Sequence, residues 1–410
     1  MIGVRPFPAR SMRGQALNGP DPSLIFACHP GMLKAGIQWL LLVIPVCLKP
    51  GSRETKIKIF NMTKITKTTI PTRVVGPFNI ISPEFSQEVK APLATFEKPL
   101  WFSVNRGARV TRKSGGIKAL VVKECMTRSV LVEAEDASYA LEVVNGLNKD
   151  GSELKKITEK GSRFAKLKDW QTQIVGNLLY IRFEFTTGGA AGHNMATKAA
   201  EMLQQWMLEK YSKLKYVSIS GNYCVDKKNS AVNGILGRGK YVIAETFIPR
   251  DICEKELHTT PEKITNINIK KNLIGSIISG GVRTANAHFA NMLLAFYLAM
   301  GQDAANIIEG SQGFTHTEVR NGGLYFSVTL PNIIIGSIGS GKDLDFVRKN
   351  LDLLGCLKEE DFEFNSRCLA IITASIVLCG ELSLLAAQTN SGELMRSHIS
   401  IERGKHKVSA

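Results

Sequence analysis

Two carboxylates in this 410-residue sequence stand in contexts that could support acid–base chemistry. Glu97 lies among apolar neighbours such as Phe96 and Trp101, and apolar surroundings raise the pKa of a carboxyl group toward that of a proton donor at neutral pH. Asp303 follows an apolar run that we predict to be part of a buried helix, where a carboxylate needs a partner. A helix cap for Glu97 and a structural ion pair for Asp303 are the alternative interpretations.

Two adjacent lysines, Lys227 and Lys228, follow Asp226 in the segment SGNYCVDKKNS. Adjacent lysines in a polar turn are usually solvated, but the flanking carboxylate, tyrosine and small residues are unusual for a purely solvated turn. His398 lies in a polar C-terminal stretch, where exposure without a role is the ordinary interpretation. An imidazole nevertheless titrates in the range that proton transfer requires.

Two further segments could bind an anion. Residues 188–192, GGAAG, join a predicted strand to a predicted helix, and glycines there let backbone N–H groups approach an anion at the helix N-terminus. A tight turn without a ligand gives the same pattern. Arg163, after Ser162, could hold a phosphate in a bidentate contact, or it could simply begin a strand. The glycine segment does not match GxGxxG, which disfavours a Rossmann fold.

The composition narrows the class of protein. A net charge of +16 fits ligands that carry phosphates as well as it fits nucleic acid or an anionic membrane. No Lys/Arg block interleaved with aromatic residues occurs, so nucleic acid is disfavoured. The eight cysteines are scattered singly and without metal-ligand spacing, which predicts unpaired thiols in a reducing compartment and no metal site.

Residues 1–61 do not resemble part of a folded domain. Their one apolar run, residues 37–48, is interrupted by Pro45 and is too short to span a bilayer. We predict that residues 1–61 form a disordered extension and that Met62 is the natural start. A peripheral membrane anchor is the alternative.

The secondary-structure elements predicted around these residues indicate an α+β fold centred on helices. Residues 283–310 are predicted to form one helix of about seven turns, apolar on every face in its middle and therefore buried. Residues 367–387 are predicted to form a second long buried helix, which carries Glu381 and is too interrupted for a membrane span.

A smaller unit is predicted at residues 129–219, with the β-α-β-β-α-β order of a ferredoxin-like domain. Its central hairpin is predicted from strands at 162–171 and 178–187, and its last helix at 193–211. We expect this unit to be inserted in a larger domain made of residues 62–128 and 220–390. Residues 391–410 are expected to form a polar tail.

Four motifs, in this order, resemble the catalytic domain of class I 3-hydroxy-3-methylglutaryl-CoA (HMG-CoA) reductases without their membrane anchor. They read ATFEKPLWFSVNRGAR, SGNYCVDKKNSAVN, NAHFANMLLAFYLAMGQDAA and LMRSH, and the resemblance runs from about residue 72 to residue 403. It implies that the catalytic residues are Glu97, Lys227, Asp303 and His398.

The resemblance also implies two sets of binding residues. The hydroxymethylglutaryl group is expected at Arg128, Ser220, Asp226, Lys228, Lys271, His288 and Asn291. The cofactor is expected at Ser162, Arg163, Gly188, Gly192, Asn194, Met195 and Arg403, and it is expected to be NADPH because Ser162 and Arg163 fall where the family binds the 2′-phosphate. Gly189 departs from the family pattern Gly-Asp-Ala-x-Gly-x-Asn-Met, since the aspartate is missing.

The implied reaction is an NADPH-dependent four-electron reduction of HMG-CoA to mevalonate and CoA, a step of isoprenoid biosynthesis by the mevalonate pathway. Lys227 would stabilise the developing oxyanion, Glu97 would supply a proton, and Asp303 would keep Lys227 charged. His398, on a mobile tail, would protonate the CoA thiolate.

The implied protein is a cytoplasmic oxidoreductase without an integral membrane span. It is at least a dimer, with active sites at the subunit interface. Two alternatives remain open: the reverse, NAD-dependent catabolism of mevalonate, and a catalytically impaired CoA-binding homologue, which Gly189 suggests.

Overall fold

The computed structural model describes residues 67–359 and 361–403. The expectations for residues 1–61, namely a disordered extension before Met62 or a membrane anchor, lie outside the described residues. Nine strands are described: β1 Thr72–Ile81, β2 Ser86–Ala94, β3 Ile117–Glu133, β4 Leu167–Val175, β5 Leu178–Phe185, β6 Lys215–Ser218, β7 Gly239–Ile248, β8 Phe314–Arg320 and β9 Gly323–Ile333.

The described α-helices accompany these strands along the chain and confirm the mixed α+β class. They are α1 Pro99–Lys113, α2 Ala137–Lys149, α3 Gly151–Gly161, α4 His193–Lys210, α5 Ala231–Leu236, α6 Arg250–Leu257, α7 Pro261–Ile267, α8 Gly275–Ile278, α9 Phe289–Ala299, α10 Ile307–Gly310, α11 Asp345–Leu353, α12 Phe362–Gln388 and α13 Glu393–Arg403. A π-helix, Asn268–Ile274, precedes α8, and a short 3-10 helix, Ala304–Asn306, precedes α10.

The strands form one branched sheet whose two arms share β3. The longer arm has the order β2-β1-β3-β7-β9-β8, and the shorter arm has the order β4-β5-β3-β6. Residues 118–125 of β3 pair with β7, whereas residues 126–133 pair with β5. A single unbroken strand therefore passes from one arm into the other.

The shorter arm packs against α2, α3 and α4 around its own apolar core. Asp136 begins α2 by accepting a hydrogen bond from the N–H of Tyr139 at 2.7 Å, as N-cap residues do. The β4–β5 turn contains Gly176 with φ +60°, as the sequence predicted. The strand predicted at 162–171 starts late, at Leu167, because the hydroxyl of Ser162 accepts from the N–H groups of Phe164 and Ala165 and closes a turn.

The core of the longer arm is built on α12, and the predicted buried helix at 367–387 is confirmed. Helix α12 is long and apolar enough to cross a membrane by length and composition, but 94% of its most apolar window is buried inside the protein. It lies very close to α1, since a Cβ atom on Gly107 would lie 2.1 Å from the carbonyl oxygen of Cys379. Glycine is therefore required at this helix crossing.

The prediction of one helix over residues 283–310 was wrong. Helix α9 is buried as predicted but ends at Ala299, because Gly301 takes a left-handed φ of +57°. Asp303 then takes an extended conformation and caps the 3-10 helix by accepting from the N–H of Ala305 at 3.1 Å. Asp303 consequently lies at an accessible break between helices rather than within a buried helix.

Candidate active site

An ion pair joins Lys227 and Asp303, whose proximity the sequence had predicted. The Nζ of Lys227 lies 2.6 Å from Oδ2 of Asp303, and the two side chains are 40% and 47% exposed. The hydrogen bond to Asp303 raises the pKa of Lys227. Partial burial raises the pKa of Asp303, but the contacts with Lys227 and with the Ala305 N–H outweigh it, so the net pKa lies below the usual value. Both groups are therefore charged at neutral pH.

Buried charged residues lie beneath the surface on which this ion pair is exposed. Arg238, which is fully buried, places NH1 2.9 Å from Oε1 of Glu309 and NH2 2.9 Å from Oδ1 of Asp226. Burial raises the pKa of Glu309 more than Arg238 lowers it. Burial also raises the pKa of Asp226, but His193, 3.6 Å away, and Arg238 outweigh it and hold that pKa well below its usual range.

Three more predicted substrate residues surround Asp226. The NH1 of Arg128 donates to the hydroxyl of Ser220 at 3.4 Å, and the Nζ of Lys228 donates to the carbonyl of Asp226 at 3.2 Å. Ser220 and Lys228 are exposed. We call this group the lysine cluster: Arg128, Ser220, Asp226, Lys227, Lys228 and Asp303. Three cations on an accessible surface suit an anionic substrate.

A second group forms around Glu97, which accepts a hydrogen bond from Nδ2 of Asn291 at 2.9 Å. The apolar neighbours of Glu97 in sequence do not bury it: its side chain is exposed, Phe96 points into solvent, and Trp101 turns into the core. Glu97 lines a cleft together with His288. We call Glu97, His288 and Asn291 the glutamate cluster. No hydrogen bond or ion pair joins it to the lysine cluster within the described residues.

Lys271 lies in the π-helix, where its Nζ donates to Oδ1 of Asn272 at 3.0 Å rather than to a member of either cluster. Asn272 in turn donates to Asn268 at 2.8 Å, and both asparagines are buried. This buried chain fixes the backbone from which the exposed Lys271 side chain projects.

His288 is held by a residue that the sequence had not assigned to the site. Its Nδ1 lies 3.0 Å from Oε2 of Glu381, a fully buried carboxylate on α12. Burial raises the pKa of Glu381, but the contacts with His288 and with two backbone N–H groups lower it by more than burial raises it. The net pKa is therefore below the usual value.

The predicted cofactor residues fall around α4. Gly188 and Gly192 have φ of +57° and +91°, and Gly192 is the N-cap of α4. Asn194 and Met195 belong to the first turn of α4, within the helix predicted at residues 193–211. Met195 and Ser162 line one cavity together with Lys198, and Arg163 lies over the ring of Phe164 at 5.6 Å.

Gly189, which replaces the family's aspartate, is tightly enclosed. Its carbonyl accepts from the N–H of Ser337 at 2.8 Å, and an added Cβ would lie 2.5 Å from the Cβ of Phe362. The loop 188–192 thus packs on a second glycine segment, residues 336–341. No side chain fits at position 189 without movement of the start of α12.

His398 and Arg403 both lie in α13, so the tail that was predicted to be polar is helical as far as it is described. Arg106 on α1 holds this helix. Its NH1 lies 2.8 Å from Oε1 of Glu393, and its Nε and NH2 donate to the hydroxyl and carbonyl of Ser383 on α12.

Sequence reasoning missed Arg238, Glu309, His193 and Glu381 as parts of the site. Glu381 had a usable signal, since it is the one carboxylate in the apolar stretch of a helix predicted to be buried. Arg238 and Glu309 had none, because they lie 71 positions apart and meet only in the folded chain.

In this α+β protein a charged lysine lies against an aspartate, next to further cations. Such an arrangement is typical of an enzyme that stabilises negative charge on a reacting oxygen. Comparison with known proteins identifies the family of enzymes. A family model described as hydroxymethylglutaryl-coenzyme A reductase matches residues 60–403, and the chain belongs to this family.

Named relatives agree with this assignment. The chain is 44% identical over 332 residues to the 3-hydroxy-3-methylglutaryl-coenzyme A reductase of Pyrococcus abyssi, covering 80% of this chain and 81% of the relative. It is 40% identical over 339 residues to that of Methanocaldococcus jannaschii, covering 82% of each. A solved class II 3-hydroxy-3-methylglutaryl-CoA reductase from Streptococcus pneumoniae, bound to NADPH, has the same fold, with a TM-score of 0.64, 19% identity and coverage of 81% of this chain and 78% of that one.

Proposed function

We propose that this protein is an oxidoreductase that reduces HMG-CoA to mevalonate and CoA with NADPH. The observation that carries the proposal is the Lys227–Asp303 ion pair at 2.6 Å, because reduction of a carbonyl builds negative charge on oxygen and needs a fixed cation nearby. Relatives at 40–44% identity bear the name of this enzyme.

The residues divide the chemistry between them. NADPH supplies the hydride in each of two reductions, first of the thioester and then of the aldehyde. Lys227, kept protonated by Asp303, stabilises the oxyanion, and Glu97 supplies the proton to that oxygen. His398 protonates the departing CoA thiolate. Arg128, Ser220, Asp226, Lys228, Lys271, His288 and Asn291 bind the hydroxymethylglutaryl group.

The cofactor assignment rests on the surroundings of α4. Ser162 and Met195 line a cavity with Lys198, and Arg163 is exposed beside it, so two cations are available for a 2′-phosphate. Gly188 and Gly192 have left-handed backbones just before α4, and N–H groups at a helix N-terminus favour an anion. Asn194 and Arg403 complete the proposed set.

The proposed cofactor domain is ferredoxin-like and comprises residues 129–219. The strand order β4-β5-β3-β6 supports this, as does the succession of helices and strands along the chain. The proposed substrate domain comprises residues 62–128 and 220–390, with residues 391–410 as a flap.

The active enzyme is proposed to be a homo-oligomer, at least a dimer, with each site shared between subunits. The lysine and glutamate clusters are exposed and unconnected within the described part of one chain, so a second copy can join them. An apolar strip beside Lys271 supports association: Ile269, Leu273, Ile274, Ile277 and Val282 are exposed, and Ile278 is 82% exposed. A patch of this kind usually marks an interface. We place the enzyme in the cytoplasm.

The test is a spectrophotometric assay of NADPH oxidation with HMG-CoA, with product analysis for mevalonate and two NADPH consumed per mevalonate. NADH at equal concentration is expected to support a slower rate. Absence of turnover with either nucleotide, by protein that binds CoA, would favour the impaired homologue instead.

A further inference from the structure

A fully buried carboxylate lies at the centre of α12, the most apolar long helix of the described chain. Burying a charge is costly unless several donors satisfy it. Glu381 makes four close polar contacts, three of them with assigned donors. Oε1 accepts from the N–H of Ala287 at 2.5 Å and from the hydroxyl of Thr315 at 3.0 Å. Oε2 accepts from the N–H of His288 at 3.1 Å and lies 3.0 Å from its Nδ1.

We propose that Glu381 is a positioning residue for His288, and that it holds the imidazole with the Nδ1 proton on the Glu381 side and Nε2 toward the cleft shared with Glu97. The proposal rests on the proposed function, in which that cleft binds the hydroxymethylglutaryl group. It adds a residue deep in the core to the machinery of the site.

The tautomer follows from counting protons. Oε2 of Glu381 is an acceptor, because the contacts around the carboxylate hold its pKa below the usual value. The Nδ1 atom must therefore donate, and a neutral His288 carries its lone pair on Nε2. Nε2 can then accept a hydrogen bond from a substrate hydroxyl, and a proton gained there places an imidazolium directly against Glu381.

Other charged groups near His288 do not compete for Nδ1. Glu97 and Arg106 line the same cleft from the loop before α1 and from α1 itself. Partial burial lowers the pKa of Lys271 in the π-helix, and the charge of Glu381 opposes that shift. Their hydrogen bonds go elsewhere: Glu97 to Asn291, Arg106 to Ser383 and Glu393, and Lys271 to Asn272.

The alternative is that Glu381 only fixes the backbone at the start of α9, through the N–H groups of Ala287 and His288. Replacing Glu381 with glutamine disturbs one role or the other, and combining it with a His288 variant separates them. An amide has one acceptor oxygen, so its NH₂ group must face either the Ala287 side or the His288 side. If it faces His288, Nδ1 must become an acceptor and the neutral imidazole must change tautomer.

The first test uses the unmodified protein labelled with ¹⁵N-histidine, with the His288 signals identified by their loss in His288→Asn. The expected spectrum at a pH where the ring is neutral shows Nδ1 protonated and Nε2 unprotonated. A predominantly Nε2-protonated ring would overturn the proposal, and this holds whether or not the enzyme is active on HMG-CoA.

The second test is a kinetic cycle of Glu381→Gln, His288→Gln and the double variant, assayed with HMG-CoA and NADPH. Glu381→Gln is expected to lower kcat/KM by roughly tenfold or more, as loss of a histidine-orienting carboxylate does elsewhere. In the His288→Gln background the same change is expected to cost less than about twofold. Equal losses in both backgrounds would mean a purely structural role and would overturn the proposal.

Thr315→Val is the matched control, because it removes one donor to the same carboxylate without touching the imidazole. It is expected to keep the wild-type tautomer and a kcat/KM within about twofold of wild type. A change of tautomer in this variant would show that the network, not the Glu381–His288 contact, sets the ring state. If Glu381→Gln fails to fold, the spectrum of the unmodified protein still decides the proposal.

Discussion

The backbone N–H of Lys227 donates to the buried carboxylate of Glu309 at 3.2 Å. The same oxygen accepts from Arg238 and from Asn306, each at 2.9 Å. Lys227 has a left-handed φ of +55°, which is unfavourable for a residue with a side chain unless its surroundings hold it there. The backbone of Lys227 is therefore fixed by buried groups, and the ion pair with Asp303 fixes only the ammonium group at the tip of the side chain.

Lys227→Ala is expected to lower kcat by roughly 10²-fold or more, since the oxyanion loses its counter-charge. The melting temperature should change little, because the side chain is 40% exposed. Steady-state assays with HMG-CoA, together with thermal melts, check this. Lys118→Ala, on an exposed position of β3, serves as the control and should leave kcat unchanged. Near-normal kcat in Lys227→Ala would contradict the proposed role.

Gly189→Ala is expected to destabilise the protein by about 1–3 kcal/mol through overpacking, because the new Cβ would meet Phe362 at 2.5 Å. Gly189→Asp, which restores the family's residue, should cost at least as much and weaken NADPH binding. Gly275→Ala is the control: its nearest contact would be 3.8 Å away, and alanine favours a helix. Urea unfolding and NADPH fluorescence titration measure both effects. Tighter binding by the aspartate variant would show that α12 yields easily.

Glu393→Ala is expected to release α13 from α1, because it removes the contact that Arg106 makes at 2.8 Å. Amide hydrogen exchange across residues 393–403 should accelerate about fivefold, which corresponds to about 1 kcal/mol for a half-buried charged hydrogen bond. Glu318→Ala breaks an exposed pair with Arg320 and should leave α13 unaffected. Unchanged exchange in α13 after Glu393→Ala would mean that its apolar contacts alone hold it.

Glu124→Gln tests a pH dependence. Burial raises the pKa of Glu124, but Lys240 and Arg367 outweigh it and bring the net pKa below the usual value. This ionised carboxylate therefore stabilises the fold above its unfolded pKa of about 4.3, and that stability is lost as pH falls through the lower folded pKa. At pH 7 the variant should be less stable by roughly 3 kcal/mol, since Lys240 is left buried without its counter-charge.

The difference between wild type and Glu124→Gln should shrink as the pH is lowered below about 4. Urea unfolding from pH 3 to pH 7 measures it. A difference that stays constant over this range would show that Glu124 acts by packing and not by charge.

His398→Gln should impair reduction of the thioester more than reduction of supplied mevaldehyde, because only the former releases a thiolate that needs a proton. Parallel assays on the two substrates measure the ratio. Equal losses on both would exclude His398 as the acid for the thiolate.

The sequence predicted the class of fold and many of its elements because their patterns are local. Helix α12 has an apolar run that no surface helix would carry, and the β4–β5 turn has a Gly-Asn pair that marks a hairpin. The long helix over residues 283–310 failed because one glycine, Gly301, ends α9 in a stretch that otherwise reads as helical. Nothing in the neighbouring residues distinguishes a glycine that ends a helix from one that the helix tolerates.

Some features of the candidate site were likewise predictable from the sequence and others were not. Motifs were sufficient to bring Lys227 and Asp303 together. The exposure of Glu97 was not evident from the sequence, because an apolar neighbour such as Trp101 can turn into the core while the carboxylate turns out. Arg238 could not be found, since a buried arginine is recognised by its partners, and those partners are distant in sequence.

Strand β3 also affects how the protein unfolds. Its 17 residues span roughly 56 Å at about 3.3 Å per residue, and its two halves are hydrogen-bonded into different arms of the sheet. Neither arm can melt alone without exposing the edge of a strand that the other arm still holds. The two arms are thus coupled in unfolding through one shared backbone, and calorimetry should record a single cooperative transition in place of two.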